Sequence, residues 1–128
     1  MARSPTSIPR MVIVAYRPKT ERENVLLAEV RDHHPLLRSE GLATDREPFI
    51  MRASDGTIVE VFEWASVAAM QEAHGNPRVL AMWDRFAACC DFVPLSAVAE
   101  TASMFAEFEP LEIAFPRAPD PPPSQRAE

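Results

Sequence analysis

The stretch from Glu60 to His74, "EVFEWASVAAMQEAH", contains the residue types that general acid–base chemistry uses. Glu60 stands inside an apolar run that is typical of a β-strand. Removal from water disfavours the charged form of a carboxyl group, so such a residue suits a general base that takes a proton from a phenol or a carbon. We therefore predict Glu60 as a catalytic residue. The alternative interpretation is a structural pair with an arginine or histidine of the first helix.

Two neighbouring histidines form the second candidate feature. His33 and His34 lie on the inward side of the first predicted helix, directly before Pro35. Because proline disrupts helical hydrogen bonding, a pocket can open there, and a neutral histidine can act as a base or orient a substrate hydroxyl. We predict a catalytic role for His33, with capping of free carbonyls as the alternative. Arg38, one turn further, is predicted to bind an anionic substrate group unless it only faces solvent.

Two further residues follow the strand that carries Glu60. His74 ends a short predicted helix and is a third catalytic candidate, although a cation at a helix C-terminus is also favourable by itself. Trp83 in the next helix is predicted either to line a pocket or to pack in the core. The three histidines of the chain lack a clustered carboxylate partner, so we expect no metal site.

The elements that must position these side chains follow from apolar periodicity. The patterns predict a strand at Arg10–Tyr16, a helix from Thr20 that Pro35 kinks or breaks near Arg31 and Gly41 ends, and a hairpin within residues 47–64. Ser66 and then Asn76-Pro77 are predicted to start two helices. "DFVPL" is predicted as a last core strand and "MFAEFEPLEI" as an extended arm.

The hairpin determines which side chains share a face with Glu60. Asp55-Gly56 is predicted to form a two-residue turn, which places Met51 opposite Glu60 and Phe49 opposite Phe62. Since side chains alternate along a strand, Phe49, Met51, Glu60 and Phe62 are then expected on one face. They are predicted to line an apolar substrate pocket with His33, His74 and Trp83.

The order of elements, β-α-β-β-α-α-β, predicts an α+β fold. It is typical of the ferredoxin-like split βαβ arrangement, a four-stranded antiparallel sheet with helices on one face. The second face is also largely apolar, which predicts a homodimer that buries it. We expect a folded domain at residues 10–115, a flexible N-terminus at 1–9 and a Pro-rich disordered tail at 116–128.

Composition limits the classes of partner. The chain has 128 residues, which suits one domain, and its net charge of −6 argues against nucleic acid and anionic membranes. No window approaches the roughly 20 apolar residues that span a bilayer. "MARSPTSIPR" lacks the apolar region of a signal peptide, so we expect a cytoplasmic protein.

Four motifs in order, "HHPLLRSEGLATDR", "DGTIVEVFEW", "AHGNP" and "FAEFEPL", resemble the antibiotic-biosynthesis-monooxygenase-like family of the dimeric α/β-barrel superfamily. The resemblance covers nearly all of residues 10–111 and implies dimers that pair their sheets face to face. The superfamily also includes heme-degrading enzymes. Their axial histidine corresponds in position to Trp83, and their first-strand asparagine is lacking here, so heme binding is not expected.

The resemblance implies an enzyme like the cofactor-independent monooxygenases, acting on a small aromatic or polyketide-like compound. A base-catalysed isomerase or cyclase with the same pocket and a non-catalytic small-molecule-binding dimer are the alternatives. The predicted catalytic residues are Glu60, His33 and His74, and the predicted substrate-binding residues are Phe49, Met51, Phe62, Trp83 and Arg38.

Overall fold

The computed structural model describes residues 7–113 and shows an α+β fold with a five-stranded antiparallel sheet in the order β4-β1-β3-β2-β5. The elements are β1 Arg10–Pro18, α1 Glu23–Ser39, β2 Phe49–Arg52, β3 Ile58–Trp64, α2 Val67–Ala73, α3 Pro77–Cys89, β4 Cys90–Val93 and β5 Glu109–Pro110. The predicted Pro-rich tail and all but residues 7–9 of the predicted flexible N-terminus lie outside the described residues.

The sheet has one strand more than the four that the sequence predicts. The predicted extended arm contributes β5, which pairs antiparallel with β2 through Met51–Pro110 and Arg52–Glu109. A strand of two residues has no apolar alternation, so periodicity cannot reveal it. The remaining order, β4-β1-β3-β2, is compatible with a ferredoxin-like arrangement.

Helix α1 passes through Pro35 without a break, so of the predicted kink or break near Arg31 the break is wrong. Proline removes one backbone donor, but the helix buries a long apolar stripe that includes Leu26, Val30 and Leu37. Burial of a stripe of this length outweighs the loss of one hydrogen bond. The helix also begins at Glu23, after an Arg22 that provides no side-chain cap, and not at the predicted Thr20 cap.

Gly41 ends α1 as predicted. Its φ of +74° lies in the left-handed region. The Gly41 N–H donates to the Arg38 carbonyl at 3.0 Å, and the Leu42 N–H donates to the Leu37 carbonyl at 2.9 Å. This pair of bonds is the Schellman motif, in which glycine is the favoured residue.

The hairpin between β2 and β3 has a three-residue loop, so the predicted two-residue turn is wrong. The Ala53 N–H donates to the Thr57 carbonyl at 2.8 Å, which leaves residues 54–56 in the loop with Gly56 at φ +92°. Such loops commonly place a glycine in the left-handed region at their last position.

The additional loop residue shifts the pairing by one. Glu60 is paired with Ile50, whereas Phe49 is paired with Val61 and Met51 with Val59. A shift of one residue moves every side chain of a strand to the other face. Phe49 and Met51 therefore lie on the face of the sheet opposite to Glu60, and their predicted place in its pocket is wrong.

The main core lies between the helices and the face of the sheet that carries Glu60. Tyr16, Ile58 and Phe62 from the sheet pack there with side chains of α1 and α3 that include Val79 and Phe86. Both later helices start as predicted. Their N-terminal amides are capped by the Ser66 hydroxyl, which accepts from Ala69 N–H, and by the Asn76 amide oxygen, which accepts from Arg78 and Val79 N–H.

The second face of the sheet is covered in part by the chain itself. Val98, from the segment after β4, is buried against Ala15 and Ala53. Met11 and Ile13 on β1 and Phe49 on β2 remain 51, 51 and 68% exposed. We refer to Met11, Ile13 and Phe49 as the open apolar face.

Candidate active site

Glu60 lies near the middle of β3, on the face that packs against the helices. In the antiparallel ladders Val14 of β1 and Ile50 of β2 are its neighbours on either side. Strand alternation places it between Ile58 and Phe62, which are both buried. The side chain has no exposed surface. A carboxyl group is therefore held inside an otherwise apolar layer, where any charge must be met by a nearby partner.

One oxygen of Glu60 takes part in both of its hydrogen bonds. Tyr16 donates its hydroxyl to Glu60 Oε1 at 2.6 Å, and His33 Nδ1 lies 2.8 Å from the same atom. If Glu60 is ionised, His33 is the donor of the second bond. Among the described residues, Oε2 has no hydrogen-bond partner although it is buried. We name Tyr16, His33 and Glu60 the Glu60 cluster.

Aromatic rings surround the Glu60 cluster. The Tyr16 ring stacks on Phe86 with 4.9 Å between centroids, and the His33 ring meets Phe62 and Phe86 edge to face at 5.1 and 5.3 Å. Phe92 approaches Tyr16 at 5.6 Å. These rings exclude water, and hydrogen bonds to a carboxylate are stronger where the local dielectric constant is low.

Tyr16 is a donor in this cluster and not a base. Burial raises the pKa of its hydroxyl well above the usual value, and the charge of the neighbouring Glu60 raises it further. The phenol therefore keeps its proton at neutral pH and holds the carboxyl oxygen from the side of β1.

His34 has a separate structural role. It is buried, and its Nε2 lies 2.8 Å from the Thr44 carbonyl, to which it donates. Burial is the largest cause of the lowered pKa of His34, and the charge of Arg38 also lowers it. Both histidines thus lie on the inward side, as predicted, but His34 ties α1 to the following loop. Arg38 is partly buried and forms no ion pair within residues 7–113.

The structure does not bring His74 to the Glu60 cluster. Its ring is exposed at the end of α2, with Nδ1 3.0 Å from the Met70 carbonyl and the ring 5.2 Å from that of Trp83. Trp83 is partly buried against the core. No ring contact or hydrogen bond in the described part of the chain links either residue to Glu60, so this geometry matches the alternative interpretation of His74 as a C-terminal cap.

Of the predicted pocket residues, Phe62 packs directly against His33, whereas Phe49 and Met51 line a different space. They border a groove of about 470 Å³ beside β2 and β5, which is also lined by Glu47, Pro48, Ile50 and residues 110–113. The predicted pocket is therefore divided between a closed cluster at Glu60 and an open groove on the edge of the sheet.

Tyr16 is the member of the cluster that sequence analysis missed. It is the single tyrosine of the chain and lies on β1 two residues after Val14, the neighbour of Glu60. That spacing places its side chain on the same face as Glu60 once β1 and β3 are paired. A single tyrosine on the first strand can be noticed in the sequence. Its position beside Glu60 can be recognised only when the register of β1 against β3 is known.

Other reactive groups lie away from the cluster or are unsuited to catalysis. Cys89 and Cys90 are buried free thiols, and burial raises the pKa of Cys90 to about 12. Such thiols are poor nucleophiles at neutral pH. Within residues 7–113, no group of three or more histidine, cysteine, aspartate or glutamate side chains is arranged to hold a metal ion.

Comparison with protein-family models, curated protein sequences and solved structures finds no match to this chain. Among its described residues, no helix has the length and apolar character needed to cross a membrane.

Proposed function

We propose that this chain is an enzyme that removes a proton from a small aromatic or polyketide-like compound, with His33 as the base and Glu60 as its positioning residue. The observation that supports this most directly is the pair of hydrogen bonds on Glu60 Oε1, from Tyr16 and His33, inside a shell of aromatic rings. A carboxylate behind a histidine is a recurrent arrangement for orienting an imidazole base.

The roles of the two residues follow from the bond geometry. An ionised Glu60 keeps the proton of His33 on Nδ1 and leaves the lone pair on Nε2, which makes no hydrogen bond with residues 7–113. Nε2 is then the atom that accepts the substrate proton, and Glu60 stabilises the imidazolium that results. This assignment replaces Glu60 by His33 as the group that touches substrate, because Glu60 Oε1 already takes part in two hydrogen bonds and Oε2 lies in a side chain with no exposed surface.

The reaction class that we propose is a cofactor-independent oxygenation, as the resemblance to the monooxygenase-like family suggests. His33 ionises a phenol, and the electron-rich phenolate reacts with dioxygen at a ring carbon that carries hydrogen. One phenol and one dioxygen then give one quinone and one water. Dioxygen is the oxidant. A C–O bond forms at the ring carbon, the C–H and O–O bonds at that position then break, and the second carbonyl of the quinone forms. The departing oxygen takes the ring proton and the phenolic proton held by His33 and leaves as water.

A non-catalytic binding or dimer-scaffold protein is the second candidate, and the closure of the Glu60 cluster favours the scaffold. Glu60 has no exposed surface and His33 is only 4% exposed. Under this alternative the cluster ties β1, β3 and α1 together and performs no chemistry. Buried polar networks can rigidify a core in this way, although Oε2 of Glu60 has no partner among residues 7–113.

The two candidates are separated by oxygen uptake with a panel of phenols and naphthols. For the enzyme, we expect Glu60→Gln and His33→Gln to lower the rate by roughly 10²–10⁴-fold, the usual contribution of a positioned base. Glu63→Gln is the matched control, since Glu63 lies on the other face of β3 and pairs with Thr44 and Arg46. Its rate should stay close to that of the unmodified protein.

Each other result has a definite meaning. Conversion of a phenolic or ketonic compound without oxygen uptake, lost in Glu60→Gln, would identify the isomerase or cyclase alternative. Absence of any turnover, together with equal stability losses in Glu60→Gln and His33→Gln, would refute the enzyme and leave the structural cluster.

We also propose that the chain is a ferredoxin-like homodimer. The strand order supports the fold, and the exposure of Met11, Ile13 and Phe49 on one side of the sheet supports a second copy as the cover. Contiguous exposed apolar side chains on a small protein commonly mark such an interface.

A further inference from the structure

Phe92 is the outermost ring of the aromatic shell around the Glu60 cluster. In the β1–β4 ladder it is paired with Tyr16, and its ring lies 5.6 Å from that of Tyr16 and 6.1 Å from that of Phe86. Phe92 is 51% exposed, whereas Tyr16 is 1% and Phe86 is 0% exposed. A ring that takes the place of Phe92 would therefore stand against Tyr16, whose hydroxyl contacts Glu60.

The strand that carries Phe92 is a short strand at the edge of the sheet. β4 has four residues and, within residues 7–113, pairs with β1 alone. Segments with one-sided pairing and exposed side chains open at lower cost than central strands. Half-exposed side chains also change rotamer rapidly, whereas buried ones such as Phe62 are locked by close packing.

We propose that Phe92 controls access to the Glu60 cluster: a small aromatic compound enters by displacing its ring, and the size of this side chain sets the rates of entry and exit. The proposal rests on the proposed function, because it assumes that the cluster receives an aromatic ligand. It assigns a role to a residue whose ring contacts, within residues 7–113, are with Tyr16 and Phe86.

The test uses the full chain with ¹³C-labelled tyrosine. Tyr16 is the only tyrosine, so its ring signals report on the cluster without ambiguity. A soluble nitroxide measures exposure of this ring, and phenol serves as the ligand probe. We expect Phe92→Ala to make the Tyr16 ring accessible to the nitroxide and to raise the exchange rate of phenol at least ~10-fold.

Phe49→Ala is the matched control, because Phe49 is an even more exposed phenylalanine on the opposite face. It should leave both readouts unchanged. Phe92→Leu retains an apolar side chain and should give intermediate values, so it provides the test if Phe92→Ala does not fold.

The failure of the two proposals can be told apart. If phenol shifts the Tyr16 signals and exchanges at the same rate in the unmodified chain and in the Phe92 variants, the access role of Phe92 is wrong. The proposed aromatic site at the Glu60 cluster would then still be supported. If phenol perturbs Tyr16 in none of the proteins, the proposed aromatic site is refuted. The access role would also be wrong if the nitroxide broadened the Tyr16 ring signals equally in the unmodified chain and in Phe92→Ala.

Discussion

At the scale of single residues, Glu60 is the side chain that apolar packing does not explain. The sequence predicts either an unpaired base or a pair with a residue of the first helix, and the structure shows His33 of α1 together with Tyr16 of β1 on one oxygen. A buried carboxylate is costly unless it is hydrogen-bonded, and both donors come from elements distant in the chain. The Glu60 cluster therefore also links three elements, β1, β3 and α1, through side-chain hydrogen bonds.

The hydroxyl of Tyr16 is predicted to resist ionisation. Its pKa is raised well above the ordinary value of 10.0 in the folded protein, chiefly by burial. An absorbance titration of tyrosinate should show no transition near pH 10 while the chain is folded and a normal transition in denaturant. Since the chain has one tyrosine, the signal needs no assignment.

The same shift of the Tyr16 pKa predicts how stability depends on pH. Below pH 10 both folded and unfolded chains hold the phenolic proton, so Tyr16 adds no pH dependence. Above pH 10 the unfolded chain loses the proton first, so the free energy of unfolding falls as the pH rises. A native titration midpoint near pH 10 would contradict burial of this hydroxyl.

At the scale of elements, the local signals for three helix ends were accurate, whereas the predicted cap at Thr20 was wrong. The caps at Ser66 and Asn76 and the helix end at Gly41 are confirmed. The hairpin failed by one residue because Asp55-Gly56 fits the end of a three-residue loop as well as a two-residue turn. Because of this one-residue error in loop length, the prediction placed Phe49 and Met51 on the wrong face of the sheet.

Two glycines allow the end of α1 to be tested. Gly41→Ala should lower the free energy of unfolding by about 1–2 kcal/mol, because an L-residue at φ +74° adopts a left-handed conformation. An added Cβ would meet nothing within 4 Å, so the cost is purely conformational. Denaturant unfolding provides the measurement.

Gly75→Ala is the matched control for this prediction. Gly75 has no positive φ, and its added Cβ would approach only the Glu72 carbonyl, at 3.8 Å. We expect no loss of stability there, or a gain of up to about 1 kcal/mol from the stiffer unfolded chain. Equal destabilisation by the two substitutions would contradict the assigned role of Gly41.

At the scale of the whole molecule, the open apolar face predicts association. Ile13→Glu should convert a dimer into a monomer, because it would bury a charge in the proposed interface. Sedimentation at several protein concentrations measures the change in mass. A chain that is monomeric before substitution would refute the homodimer.

Val25→Glu is the matched control for association. Val25 is 46% exposed, close to the 51% of Ile13, but it lies on α1 and away from the sheet. The substitution should leave the mass unchanged. Dissociation by both variants would instead indicate that added charge, and not the open apolar face, disrupts the assembly.

The sequence by itself determined the class of fold, the order of most elements, the caps at Ser66 and Asn76 and the conspicuous position of Glu60. These depend on apolar periodicity and on residues a few positions apart, which a single chain displays directly. Only the tertiary structure decided the partners of Glu60, the exclusion of Phe49, Met51 and His74 from its surroundings, and the fifth strand. The physical reason is that Tyr16 and His33 are 44 and 27 residues away from Glu60 in the sequence. Strand register brings Tyr16 to the Glu60 oxygen, and helix packing brings His33 there. Local sequence patterns predict neither the register nor the packing.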